Sequence, residues 1–380
     1  MTRATIQGVS EIGDQLGNPA VIPDRRLSFA QDVADSLSRP TTREVWKYTS
    51  LNKLLAGLTR APVATTAASP VAASSSGVVV TRFRAAHEHA GYIRERFASV
   101  DPERYPLADL GAHLSSDGVL IDVMASVDAT VRLDWSSAPS TPVVIRVAPD
   151  ARLNLIEISA SETGGARFCD LAIGRNAQVN HSRTDLVEGG TCWHFHRITQ
   201  QRDSSYTMYT HTRGGDLRRH ECQVLLEGSG AHCSLTGGWW LRGRERLDQQ
   251  MTIEHRASHT QSLQKFHAIG DDRSKSTFNG RIHIHAGIAD VDAHLVNRNL
   301  VHSEQAEMNT KPELEIYSDD VRCSHGATVG QISQDSIFYL TSRGISRSAA
   351  LALLRSAFLR EVVDGEQSDL VLASFGQTQP

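Results

Sequence analysis

From about Gly118 onward, apolar residues recur at every second position: Val119, Ile121 and Val123, then Val131, Leu133 and Trp135. A period of two is that of a strand with one face turned to a core. In the next candidate, Leu153 and Leu155 are followed by Ile156 and Ile158 on the opposite parity, with Glu157 between them. That predicts a strand apolar on both faces, or one interrupted by a bulge. Within the strand-rich stretch, a small residue followed two places later by a larger one recurs after turn-forming neighbours. The pairs are Ala151 with Leu153, Ala177 with Val179, Ser204 with Tyr206, Ala231 with Cys233 and Ala257 with His259, each about 26 residues after the last. A steady long period predicts a solenoid whose coils stack on their neighbours. The alternative is a β-sandwich or barrel, in which turns recur at short intervals without a fixed long period.

Both ends of the chain change to helical spacing. Residues 25–38 carry Phe29, Val33 and Leu37 four apart. Thr41 with Glu44 forms a capping box ahead of a second helix containing Trp46, Leu54 and Leu55. Residues 1–60 are therefore read as a helical region. Residues 61–77, APVATTAASPVAASSSG, hold no charge and few large apolar groups, the composition of a flexible linker. Residues 78–117 read as mixed and partly helical, with Tyr92, Ile93 and Phe97 clustered, and the solenoid is placed over 118–330. Over 331–380 a helical domain is predicted: Ser333 caps a short helix through Ile337, Phe338 and Leu340 that closes at Gly344. Ser346 caps a longer one with Ala350, Leu353, Leu354, Ala357, Phe358 and Val362 on one broad arc, of a width expected to pack on the protein's own core.

Composition narrows the function. Of 380 residues, 39 are Lys or Arg and 43 Asp or Glu, a formal charge of -4, which argues against nucleic acid as the main partner. The longest uninterrupted apolar run, Ala349 to Leu354, is far short of a membrane span, and the first residues show no signal-peptide core. A cytoplasmic protein without a membrane partner is expected. The five cysteines are scattered and include no CxxC pair, so they read as reduced thiols. There is no HExxH, and no phosphate loop of the GxxxxGK[ST] form, since no Gly-Lys pair occurs. Any ATP chemistry of that kind must come from another polypeptide.

The stretch DDVRCSHGATVGQISQDSIFYLTSRGISRSAALALLRSAFLREVVD, residues 319–364, closely resembles the signature of the SufB/SufD family of iron-sulfur cluster assembly proteins. NRNLVHSEQAEMNTKPELEIYSDDV upstream fits the same family. REVWKYTSLNKLLAG near the N-terminus and the CSHGATVG form favour its SufD branch. The resemblance implies a right-handed parallel β-helix flanked by helical N-terminal and C-terminal domains. It also implies a non-catalytic scaffold that pairs with a SufB-like subunit through the β-helix, docks a SufC-like ATPase through the C-terminal helices, and shares a transient iron or iron-sulfur cluster with its partner. It leaves room for a homodimer of the isolated chain.

Cys323 and His325 are two apart and on a strand project to one face, a thiolate and an imidazole that suit iron, zinc or copper but need further ligands from elsewhere. On the residues alone, His325 as a hydrogen-bonding group and Cys323 as a small packed hydrophobe is the simpler reading. The resemblance assigns His325 to cluster assembly at the SufB interface, with Cys323 less secure. Tyr339, Arg343 and Gly344 in FYLTSRG, with Leu354 and Phe358 on the long helix, are the implied ATPase-docking positions. Cys192, His194 and His196 also alternate, with Trp193 and Phe195 facing oppositely, and His283 with His285 repeats the spacing. These form the basis of the competing reading, a metal-dependent enzyme with a Cys/His site in the β-rich core. A carbohydrate-active β-helix is disfavoured because no secretion signal is seen.

Overall fold

The computed structural model describes residues 46–58, 69–73, 76–108, 117–136, 138–159, 164–185 and 189–363. In chain order the elements begin with α1 (Leu51–Leu58), β1 (Val71–Ala73), β2 (Val78–Arg82) and α2 (Ala90–Ala98). Strands β3 (Val119–Val123), β4 (Asp128–Asp134), β5 (Val143–Val147), β6 (Arg152–Ser159), β7 (Gly165–Ile173), β8 (Gln178–Asp185), β9 (Thr191–Gln200) and β10 (Ser205–Thr212) follow. The strand region is completed by β11 (Leu217–Leu226), β12 (His232–Leu241), β13 (Arg246–His255), β14 (Gln261–Gly270), β15 (Lys275–Ile284), β16 (Val291–Val301), β17 (Glu307–Ile316) and β18 (Val321–Gly330). Helices α3 (Gln334–Ser342) and α4 (Arg347–Arg360) come last.

The strands alternate between two nine-stranded sheets. One runs β1-β4-β6-β8-β10-β12-β14-β16-β18 and the other β17-β15-β13-β11-β9-β7-β5-β3-β2. From β3 and β4 onward every pairing is parallel, so the chain climbs about eight coils and lays one strand of each coil in each sheet. This is a parallel β-solenoid. β1 and β2 pair antiparallel with β4 and β3 and close the first coil.

The coil repeat is visible in the register. Leu153, Val179, Tyr206 and Cys233 stack in one column, as their spacing predicts. Ahead of each column member the chain turns through a left-handed residue: Asp150, Asn176, Asp203 and Gly230, with φ between 55° and 76°. Asp, Asn and Gly tolerate that conformation best. The residue after each, Ala151, Ala177, Ser204 or Ala231, is small and buried at the inside of the bend. The fifth pair departs from expectation. Cys233 stacks on Ser262, not on His259, because this coil is longer than the ones before it. Its left-handed corner is His259 itself, and Thr260 takes the small-residue place. The lengthening runs along the stack: near its start Asp128 pairs with Arg152, and near its end Lys275 pairs with the more distant Glu307.

β6 is apolar on both faces without a bulge. Leu153, Leu155, Glu157 and Ser159 point inward, while Ile156 and Ile158 lie half-buried on the outside. The main core fills the space between the sheets, from Val119 and Val131 to Leu295. A second core lies outside the odd-numbered sheet, where Trp46, Leu54, Leu55, Phe83, Ile93 and Phe97 cover Leu120, Phe168, Trp193 and Phe195. A third, smaller one joins Leu359 and Val363 of the C-terminal segment to Trp240 and Ile269.

Helical terminal regions are present in part. α1 lies on β9 and β11 and α2 packs on β7 through Phe97 and Phe168, while α3 and α4 follow the last strand, with α4 lying against the even-numbered sheet. The amphipathic segment 25–38, the Thr41–Glu44 capping box and residues 364–380 lie outside the described residues. Of the stretch read as a linker, Val71–Ala73 forms the edge strand β1. Among the described residues no helix is long and apolar enough to cross a membrane.

His255, fully buried beside the His259 corner, bonds Thr260 Oγ1 through Nδ1 (2.7 Å) and Ser262 Oγ through Nε2 (2.9 Å). Burial lowers it from the ordinary 6.5 to about 4. The unfolded chain takes up a proton below pH 6.5 that the native chain refuses, so stability is intact above that value and is lost as pH falls toward 4. The loss from this residue is about 3 kcal/mol. Denaturant titrations across that window are expected to show a shallower pH slope in His255→Gln than in the unmodified protein; equal slopes contradict the assignment.

Candidate functional site at the open end of the solenoid

Among the described residues the last coil has no successor. β17 and β18 are the edge strands of their sheets, β17 half-buried and β18 largely exposed. In β18, Cys323 stacks on Ala293 and His325 on Leu295, two inward-facing positions of β16. The side chains of Cys323 and His325 therefore continue the inner row of the solenoid, where a further coil would cover them. Cys323 is half-buried at the margin of the main core and His325 is exposed. Burial raises the Cys323 thiol above its usual range, and the Asp292 carboxylate adds to this. The imidazole is thus the readier donor of the two near neutral pH. Around the same end, Ile316, Tyr317 and Val329 are exposed, Tyr317 at 62%.

The two C-terminal helices follow directly from β18. Ser333 Oγ accepts from the Ser336 amide and Ser346 Oγ from the Ala349 amide, the two expected caps. Gly344 sits at φ 86°, which a side chain would strain even though the space beside it is open. The arc read on α4 is turned differently from expectation. Ala350, Arg355 and Leu359 are the buried positions, while Leu353 and Ala357 face outward and Leu354 and Phe358 are half-buried. Arg355 decides this: it reaches the Asp271 carboxylate at 3.5 Å and lies over the Trp240 ring at 4.9 Å. A charged residue on the packed face rotates the apolar arc toward solvent. Phe358 stacks on His267, whose Nδ1–H donates to the Phe358 carbonyl at 2.8 Å. On α3, Phe338 and Tyr339 are 72% and 59% exposed, with the Arg343 guanidinium 5.2 Å from the Tyr339 ring.

Cys192, His194 and His196 do share one face of β9, turned to the solenoid interior, with Trp193 and Phe195 outside in the second core. The three do not act together. The histidines converge with Glu157 of β6, their donor atoms within 4.8 Å of one another, and Cys192 is not part of that group. Sequence reasoning singles out neither His181 nor His220, and gives Glu157 no chemical part. His220 stacks one coil above His194, so the coil period itself carries the signal. Glu157 stands out only as the lone charge in an apolar run. On the outside of the odd-numbered sheet, His283 and His285 approach Glu254, but Arg281 Nη2 lies 3.0 Å from His283 Nδ1 and competes for the lone pairs.

A family model described as "SUF system FeS cluster assembly, SufBD core domain" matches residues 134–358. An iron-sulfur cluster assembly SufBD family protein of Synechocystis is 35% identical over 199 residues, 51% of this chain and 43% of that one. The iron-sulfur cluster assembly protein SufD of Escherichia coli is 33% identical over 222 residues, 57% and 52% respectively. SufD of Bacillus subtilis is 26% identical over 305 residues, 76% and 70%. The matched part spans about half the length of the first two relatives. The family match takes in the strands from β5 to β18 and most of the two C-terminal helices, so the chain, by its stacked coils and its terminal motif alike, belongs to the SufB/SufD family of iron-sulfur cluster assembly proteins.

Proposed function

We propose that this chain is a non-catalytic SufD-type scaffold subunit that pairs through its last coil with a SufB-like subunit and carries a SufC-like ATPase on its C-terminal helices. The observation that carries the reading is the open coil: two edge strands whose inner row presents His325 and Cys323. Unpaired edges recruit strands, and a second solenoid offering its own edges continues both sheets across the joint. His325 then lies inside the seam. Its imidazole supplies one ligand to iron, and thiolate from the partner completes the set, since one imidazole and a protonated thiol cannot hold a cluster. The scaffold contributes position and ligand, while hydrolysis belongs to the ATPase, consistent with the missing phosphate loop.

The docking face is assigned to Phe338, Tyr339, Arg343 and Leu353, with Leu354 and Phe358 at its margin. Gly344 shapes the turn between the helices, its amide donating to the Thr341 carbonyl at 3.0 Å, and has open space beside its Cα. Apolar groups this exposed next to an arginine make an anchor for a partner pocket.

In a reconstituted complex, His325→Ala is expected to leave subunit pairing intact and to lower bound iron and acid-labile sulfide at least about tenfold. Clusters formed at normal yield by the variant rule out the role. Phe338→Asp on the helical face is expected to weaken ATPase capture by about 2 kcal/mol, roughly 30-fold, without changing the melting temperature. Titration calorimetry reads this directly, and unchanged affinity removes that surface from the interface.

A further inference from the structure

The interior of the solenoid is not uniformly apolar. Beyond the column of Leu153, Val179 and Tyr206, the inward rows of the neighbouring strands bring Glu157, His181, His194, His196 and His220 together, all at most 2% exposed. Glu157 is the centre. Its Oε1 accepts from Trp135 Nε1 at 2.9 Å and lies 3.3 Å from His194 Nδ1, while its Oε2 lies 2.8 Å from His196 Nε2 and 3.1 Å from His181 Nε2. Two features exceed what a packed core needs.

The first is His194. Fully buried, it has no hydrogen-bond partner at either ring nitrogen, the approach to Glu157 not being aligned as a hydrogen bond. A buried orphan of this kind costs about 1–3 kcal/mol unless something else occupies its lone pair. The second is the relay behind His196. His196 Nδ1 meets His220 Nε2 at 2.8 Å, and His220 Nδ1 meets Gln249 Oε1 at 2.9 Å. With the amide oxygen facing His220, the protons sit on His220 Nδ1 and His196 Nδ1, so His196 Nε2 turns a bare lone pair toward a carboxylate oxygen 2.8 Å away. Two lone pairs at that distance require either an added proton or a metal ion between them. Turning the Gln249 amide reverses the relay, puts a proton on His196 Nε2 and gives the metal-free alternative. Each imidazole keeps one proton in both arrangements. The relay thus frees Nε2 for a metal without net proton release, and it leaves the other ring N–H donating to a fixed acceptor, as metal-bound histidines do.

We propose that Glu157, His194 and His196 form a binding site for one divalent transition-metal ion of the zinc and iron(II) class inside the solenoid. Two imidazoles and a carboxylate suit those ions better than magnesium or calcium, which favour all-oxygen sites. Metal–ligand bonds of about 2.0–2.2 Å place neighbouring donor atoms roughly 2.9–3.5 Å apart. The present separations of 2.8 and 3.3 Å already match that spacing within small adjustments. A cavity of about 10 Å³, bordered by His194, His220, Cys192 and Arg183, gives room at its side for about one water molecule as a further ligand. Arg183 Nε stands 3.6 Å from Glu157 Oε1 and opposes a cation, but its Nη2 is also 3.6 Å from the Asp185 carboxylate, which offsets part of that charge. The site is separate from the seam proposed above and does not depend on it.

The test uses the full chain without a histidine tag, with cobalt(II) as the probe under anaerobic conditions, followed by metal analysis after desalting. One equivalent per chain is expected, with visible d–d bands, no thiolate-to-cobalt charge-transfer band, and a raised melting temperature. His194→Ala deletes a side chain that makes no hydrogen bond and is expected to fold and to lose affinity at least about tenfold; Gln249→Leu, behind the relay, about tenfold with the bands retained. His325→Ala is expected to keep the equivalent. X-ray absorption of the zinc-loaded unmodified protein should show two imidazoles and oxygen, a readout independent of any variant's folding. No retained metal in the unmodified chain, a thiolate band, or loss of the equivalent in His325→Ala in place of His194→Ala each overturns the proposal.

Discussion

The molecule depends on one repeated interaction: the parallel backbone ladder by which each coil satisfies the amides and carbonyls of the next. Within the stack every strand has two neighbours, so the ladder is self-consistent however the side chains vary. It fails only at the ends. At the first coil the failure is repaired locally, by β1 and β2 laid antiparallel on β4 and β3. At the last coil it is left open, and the residues with the most evident chemistry in the terminal motif, Cys323 and His325, lie on that unrepaired edge.

Because the ladder bears the fold, side chains inside the stack are freer than in an ordinary core. β9 reads CWHFH with its rings sorted against intuition, the histidines facing inward and Trp193 and Phe195 facing out. The outer face can carry aromatics because α1, α2 and their flanking segments cover it. The inner face can hold imidazoles because Glu157 and the relay to Gln249 answer most of their polar atoms. Burial then keeps the imidazoles of His194 and His196 largely neutral, which suits lone-pair donors.

Several parts of this are legible in the sequence for physical reasons. A coil corner needs a left-handed residue and then a small one, so Asp150–Ala151, Asn176–Ala177 and Asp203–Ser204 mark the period directly. A constant period misplaces the fifth pair, setting His259 where Ser262 stands, because the coils lengthen. Helix caps at Ser333 and Ser346 are local and therefore readable. The facing of α4 is not, because Arg355 is anchored by Asp271, a residue distant in the chain. Glu157 is hidden by the apolar residues on both sides of its strand, and only the packing of one sheet on the other across the interior brings it to the histidines of β9.

The overall lengthening of the coils from β4 to β17 gives the stack a narrow end and a broad one. Stackable rods with two equivalent ends polymerise, as amyloid does, by adding one unit after another. Here the narrow end is blunted by two short strands running against the ladder, while the broad end alone offers long edges of matching girth. Under the pairing proposed above, growth in such a geometry would terminate after a single addition, and the taper would then act as a stopper that favours a finite pair over a fibre.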